Sequence, residues 1–178
     1  MARYIILLRA LNTGNRKAPM KELRAKCEAL GMTDVGSYIA SGNLVATSTM
    51  PSAEIEAAIE TLVERDYGFH SDTIVRTLAQ WERIVADAPF EDERRDRPAR
   101  LHLCLTKRPP AADIVERLEA RATLGERFIL VGDALWVDFA EGVGNSKLTP
   151  AIFDKSAGSP LTARNWNTVQ KLLDLASG

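Results

Sequence analysis

Residues 4–11 run through apolar side chains with a single interrupting arginine, the pattern of a strand buried on both faces. The segments after it narrow the folds open to the chain. Met20, Leu23, Cys27 and Leu30 fall at helical spacing and Gly31 supplies a stop. Residues 35–40 read as a strand, Ser41-Gly42-Asn43 as a tight turn, and residues 44–48 as a returning strand. Pro51 opens a helix to about residue 66, with Ile55, Ile59, Leu62 and Val63 on one face, and Gly68 ends it. Residues 73–77 form a short strand. Thr77-x-x-Gln80 is a capping box before a helix carrying Trp81, Ile84 and Val85. The order β-α-β-β-α-β, then a helix, is the split βαβ or ferredoxin-like signature.

The second half echoes this order. Residues 91–100 are charged and hold no large apolar side chain, so they read as a connection. Residues 101–106 form a strand, and Pro109-Pro110 leads a helix with Ile114, Val115 and Leu118. Residues 128–131 and 135–139 form a hairpin across Gly132-Asp133. Residues 146–155 read as a helix with Leu148, Ile152 and Phe153 apolar. Thr162 caps a last helix from about Arg164 to Ala176, with Trp166, Val169, Leu172 and Leu173 inward. The expected fold class is therefore α+β: two ferredoxin-like (βαββαβ-type) subdomains packed together, with an extra C-terminal helix. Residues 1–90 make the first subdomain plus its trailing helix, 91–100 the connection, and 101–178 the second. Either unit alone would be small and marginal, which favours docking of the two.

Composition sets outer bounds. A hydrophobic share of 46% supports a buried core, and a net charge of −1 removes the overall basicity of many nucleic-acid binders. Cys27 and Cys104 sit among apolar residues and form no Cys-x-x-Cys pair, so two reduced, buried thiols are expected. The N-terminal apolar run is broken by Arg9 and Asn12 and leads into a basic loop, unlike a signal peptide. No run approaches the ~20 apolar residues of a membrane span. A cytoplasmic location without membrane contact is the expectation; no pattern fixes an oligomeric state.

The polar residues are unevenly placed. Residues 1–30 hold Arg3, Arg9, Arg16, Lys17, Lys21, Arg24 and Lys26 against Glu22 and Glu28, a local +5 in a chain of total −1. In ferredoxin-like topology the first two strands are parallel, with the third between them. The loop at 12–17 and the turn Ser41-Gly42-Asn43 should therefore leave the sheet at the same end. A basic, glycine-bearing loop before a helix suits an anion; ordinary turn residues beside a solvated helix face would look the same. Two other loops share this character. Residues 142–147 (Gly-Val-Gly-Asn-Ser-Lys) come after a strand and open a helix but lack the Gly-Lys-Ser/Thr ending of a Walker A motif. Arg164 and Asn165 fall in the expected first turn of the last helix, where an arginine opposes the helix dipole, which points to an acidic partner or a bound anion.

No catalytic constellation stands out. His70 comes after a helix end, and His102 alternates with leucines on a strand. Neither has a metal partner at helix or loop spacing, so no metal and no cofactor are expected. Ser41, Ser146 and Thr168 have no identifiable base, and no Gly-x-Ser-x-Gly elbow occurs.

Arg9-Ala-Leu-Asn-Thr-Gly14, Met20-x-x-Leu23, Tyr38-Ile-x-Ser-Gly-Asn43, Ser146-Lys-Leu148 and Thr162-x-Arg-Asn-Trp-Asn-Thr168, taken in this order, resemble the bacterial domain-of-unknown-function 1697 family. The resemblance implies a paired ferredoxin-like α+β architecture and no assigned activity. It implies that Arg9, Asn12, Gly14, Ser41, Gly42, Asn43, Ser146, Lys147, Arg164, Asn165 and Trp166 belong to the family pattern. Thr13 and Asn15 depart from it, standing where a small apolar residue and a second glycine are expected.

These polar residues support three functional readings. The first is a binding module for a phosphate-containing or other anionic ligand, a nucleotide or RNA. Arg9, Lys17, Lys147 and Arg164 would supply charge, and Asn12, Asn43 and Asn165 hydrogen bonds, with Gly14, Ser41, Gly42 and Ser146 shaping the loops. The absence of an RNP-like aromatic pattern favours a small ligand over a long strand. The second is an enzyme acting on a small anionic substrate in the cleft between subdomains. In the third, the polar motifs merely cap helices and lock the chain.

Overall fold

The computed structural model describes residues 1–178. It divides into two compact units, Met1–Arg83 with Gln170–Gly178, and Ile84–Val169.

The first unit contains β1 (Ala2–Leu8), α1 (Met20–Ala29), β2 (Thr33–Tyr38), β3 (Asn43–Ser48), α2 (Ser52–Tyr67) and β4 (Thr73–Thr77). Its sheet has the order β2-β3-β1-β4 with every neighbouring pair antiparallel, so β1 and β2 are parallel on either side of β3. Tyr4 sits opposite Ala46 on one side and Thr77 on the other. Side chains alternate along the strands. Tyr4, Ile6, Leu8, Leu44, Ala46 and Val75 pack in one cluster with Leu23 and Cys27 of α1 and Ile55, Ile59, Leu62 and Val63 of α2. The opposite-facing Ile5, Leu7, Val45 and Ile74 are also buried. The unbroken apolar run of β1 thus matches a strand with no solvent face. Arg3 ties the end of the chain to this unit: one Nη donates to the Asp34 carbonyl and the other to that of Leu175. The expected capping box forms, with Thr77 N donating to Gln80 Oε1 (2.9 Å) and Gln80 N to Thr77 Oγ1 (3.2 Å), and it starts α3 (Leu78–Ala86).

The second unit holds α4 (Glu91–Asp96), β5 (Leu101–Thr106), α5 (Ile114–Glu119), β6 (Arg127–Val131), β7 (Ala134–Asp138), α6 (Pro150–Ala157) and β8 (Leu161–Asn165). The chain ends in α7 (Trp166–Ser177), whose last turns belong to the first unit. The sheet order is β6-β7-β5-β8, the same topology again. Cys104, Leu118, Phe128, Val137, Phe139 and Phe153 centre its core. No helix in the chain is long and apolar enough to cross a membrane.

Three local expectations give way. Residues 91–100 are more than a connection. Residues 91–96 form α4, and Arg97 reaches the fully buried Asp138. The helix after residue 142 begins at Pro150, capped by Thr149 through the Ile152 N–H, and Ser146 precedes it in extended conformation. Residues 161–165 are a strand, not a helix start: Leu161 pairs with Thr106, Ala163 with Cys104 and Arg164 with Leu103. Thr162 resembles an N-cap in sequence. The residue that caps α7 is Asn165, whose Oδ1 accepts the Thr168 N–H at 3.0 Å. Strand pairing to β5 overrides the local signal, and it completes the second β-α-β-β-α-β.

Candidate functional site

In the first unit the loop after β1 and the turn after β2 do meet. Leu8 N donates to the Gly42 carbonyl at 2.8 Å. Asn12 closes the join from the side. Its Nδ2 donates to the carbonyls of Ala40 (2.7 Å) and Ala18 (3.0 Å), and its Oδ1 accepts the Ala18 N–H (2.8 Å). The amide thus acts like a strand segment inserted between two loops, using three of its hydrogen-bonding positions. Asn43 is wholly buried and donates to Tyr38 O and Ser41 Oγ, each at 3.1 Å. Gly42 has φ +83°, and a Cβ there would stand 2.8 Å from Leu8 O. Asn12, Ser41, Gly42 and Asn43 therefore build the end of the sheet from within.

Backbone strain concentrates at this end. Ala10, Asn12 and Ile39 adopt left-handed φ of 51°, 58° and 50°, and Ile39 is a β-branched, exposed residue for which that region is unfavourable. Beyond the clamp the loop turns tightly: Arg16 N donates to Thr13 O at 3.0 Å, with Gly14 at φ +53° and open space where its Cβ would be. Thr13, Gly14, Asn15 and Lys17 are exposed. The Lys17 ammonium makes no hydrogen bond or ion pair within the chain. The loop leads into α1, whose N-cap is Pro19 and whose first turn receives no side-chain cap. Glu22 in that turn is shared with Lys26 and Tyr67.

The other cations of this loop are already engaged. The Arg9 guanidinium lies 3.7 Å from Asp72, its backbone N–H donates to Asp72 O, and its carbonyl accepts Ser71 Oγ. Arg16 donates to the His70 carbonyl and lies over the Phe69 ring.

In the second unit, Ser146 Oγ donates to Glu126 Oε1 (2.7 Å) and accepts the Leu148 N–H (3.2 Å). Burial alone would raise the Glu126 carboxyl; the Ser146 hydroxyl and backbone N–H donors outweigh it and hold it below its ordinary value. Lys147 beside it is exposed and makes no ion pair. Arg164 lies on β8, and its Nη1 donates to Thr162 Oγ1 (2.8 Å) and Ala163 O (2.9 Å). Burial pulls its guanidinium down to about 10, so it remains charged at neutral pH. The dipole conflict expected for Arg164 in a helical turn does not arise on a strand. Asn165 is the α7 cap. Among the loop residues that the sequence singles out, Lys17 and Lys147 are thus the exposed cations with no internal partner.

Both thiols are buried, and burial pushes each up to about 12, far from the thiolate needed for reactivity. His102 is buried edge-on to Phe139 at 5.1 Å, and burial lowers its affinity for a proton.

His70 is different, and sequence reasoning misses it. Its Nδ1 lies 2.6 Å from Glu64 Oε1 and its Nε2 3.1 Å from Asp72 Oδ1. Hydrogen bonds to Asp72 and Glu64 raise its affinity for a proton. Donor atoms of Glu60, His70 and Asp72 lie within 4.8 Å of one another. The signal is present as Glu60-x-x-x-Glu64 on one helical face, then the Gly68 stop, then His70-x-Asp72. What hides it is the reversal of the chain at Gly68, which folds the last pair back onto the first.

Residues 1–136 match the family model described as protein of unknown function (DUF1697). Among solved structures the chain is similar to the conserved bacterial protein SP0830 from Streptococcus pneumoniae, with 25% sequence identity over 98% of both chains and a TM-score of 0.75. No curated protein matches.

Proposed function

We propose that this chain, which belongs to the DUF1697 family of proteins of unknown function, is a binding module for a phosphate-bearing or other small anion of the nucleotide kind, held at the loop end of its first unit. The observation that carries the reading is an exposed glycine turn, Thr13 to Lys17, fixed from behind by Asn12 and presenting an ammonium with no internal counter-charge. Main-chain N–H groups of the loop and of the uncapped first turn of α1 would supply hydrogen bonds, and Lys17 the charge. Strain at Ala10, Asn12 and Ile39 fits a segment held in shape for a task. Burial of both faces of β1 speaks for a small ligand, since RNA stacking on a ferredoxin-like sheet needs an open face.

A fluorescent nucleotide titrated into the protein at about 50 and 200 mM salt should bind more weakly at the higher salt. Lys17→Ala should weaken binding about tenfold, the scale of one charge-assisted hydrogen bond. Absence of saturable binding at millimolar nucleotide, or affinity indifferent to salt, sinks the proposal.

A second reading is favoured for Asn12, Asn43, Ser146 and Asn165, whose side chains bond to other groups of their own chain. These residues would act on stability alone. Asn43→Ala should melt lower than the parent while leaving Lys17-dependent binding in the folded protein; an unchanged melting temperature would remove it from that role.

A further inference from the structure

We propose that Glu60, His70 and Asp72 form a binding site for a divalent cation of the zinc type, with Glu64 orienting the histidine. Two segments converge on it: α2 supplies Glu60 and Glu64, and the stretch entering β4 supplies His70 and Asp72. The imidazole is fixed at both nitrogens. Nδ1 faces Glu64 at 2.6 Å, the carboxylate–histidine pairing that sets the tautomer of metal-bound histidines and leaves Nε2 as the ligand. Nε2 stands 3.1 Å from Asp72 Oδ1, a hydrogen bond whose proton a bound cation displaces to solvent. Two ligands each about 2.0–2.1 Å from a tetrahedral zinc ion stand about 3.3 Å apart, so this pair is already spaced as one edge of a coordination shell. Glu60 is held in place by the Thr73 N–H on Oε1 (2.9 Å). Its donor atom lies within 4.8 Å of the other two.

Charge points the same way. Glu60, Glu64 and Asp72 bring three carboxylates, against which Arg9 sets one guanidinium on the far oxygen of Asp72, while Arg16 is turned to the His70 carbonyl. One nitrogen and two carboxylate ligands suit zinc better than magnesium, which prefers an all-oxygen octahedron. His70 is half exposed, so water can fill a fourth position. The site does not depend on the anion reading and is measured without any anion.

The test is a zinc titration of untagged full-length protein against a chromophoric chelator, with magnesium as a parallel probe. One zinc per chain is expected, with no comparable magnesium binding. Glu64→Gln should weaken zinc about tenfold or more, and His70→Ala and Asp72→Asn should abolish the stoichiometric site. Zinc should raise the melting temperature of the parent and not of His70→Ala, which separates lost binding from lost folding. The proposal is overturned by a parent protein that takes up no stoichiometric zinc. It is equally overturned if His70→Ala, shown folded by circular dichroism, binds zinc with parental affinity.

Discussion

Gly42→Ala is expected to lower stability by about 2–4 kcal/mol, the sum of two separable effects. The first is conformational. At φ +83° a side chain is strained wherever it sits, at about 1 kcal/mol. The second is steric. The new methyl would stand 2.8 Å from the Leu8 carbonyl oxygen, 2.9 Å from Leu8 Cβ and 3.2 Å from Leu11 Cβ. Leu8 is an end residue of β1, paired with Thr73 of β4, and Leu11 is buried. Neither yields without moving the strand end, and overpacking of this sort costs about 1–3 kcal/mol. Gly14→Ala is the internal control. Gly14 shares the left-handed conformation, at φ +53°, and has open space at the Cβ position. It should cost only the conformational part, about 1 kcal/mol. Urea unfolding of both variants decides the matter: equal losses would mean that close approach of the turn to β1 contributes nothing.

The same close approach separates what sequence can reveal from what it cannot. Topology alone places the loop after β1 beside Ser41-Gly42-Asn43, because parallel first and second strands leave a ferredoxin-like sheet at one end. It cannot say that Asn12 turns inward to bridge Ala18 and Ala40, since a loop asparagine has the same composition whether it faces solvent or chain. The residues expected as ligand contacts therefore divide according to side-chain direction. Asn12 and Asn43 face the protein; Lys17 faces solvent. His70 escapes notice for the converse reason. Its partners on α2 lie only six and ten residues back, but the chain must reverse at Gly68 to face them, and no standard motif spacing announces that reversal.

The second unit is less legible where charges carry the structure. Strands β5 to β7 have apolar patterns that single them out, but β8 reads Leu-Thr-Ala-Arg-Asn and has no such pattern. It is a strand because β5 offers it a partner, with Arg164 across from Leu103. The stretch at 91–100 reads as a solvated connection because its side chains are charged. Its structure comes from those charges: Glu93 and Arg97 meet Arg127 and Asp138, which lies at the far end of a neighbouring strand. Long-range ion pairs leave no periodicity in sequence, so patterning has nothing to detect.

Asp138→Ala tests that network and should cost about 2–3 kcal/mol. Asp138 is completely buried, and its carboxylate accepts from two guanidiniums. Arg97 gives Nε at 3.1 Å and Nη2 at 2.7 Å; Arg127 gives Nε at 3.2 Å and Nη2 at 2.8 Å. Breaking a fully buried pair costs about 3–5 kcal/mol because an unpaired charge stays behind. Here the two guanidiniums are 38% and 50% exposed and keep Glu93, so water and a second carboxylate recover part of the loss. In an Arg97→Ala background the same substitution should cost clearly less, since the two side chains share one interaction; identical losses in both backgrounds would dissolve the pair. The effect also has a pH signature. Burial by itself would raise the Asp138 carboxyl, but the hydrogen bonds from Arg97 and Arg127 prevail and lower it. The unfolded chain then takes up the proton first as pH falls, at the ordinary aspartate value of about 3.9. The stabilisation is fully present above that value and is lost as pH drops through the folded-state value below it. Asp138→Asn, which has no proton to gain, should show a shallower acid limb than the parent in melting temperature between about pH 5 and pH 2. Parallel acid limbs would mean that the Asp138 carboxyl holds its proton equally well in the folded and unfolded chain, and the lowering by Arg97 and Arg127 would be refuted.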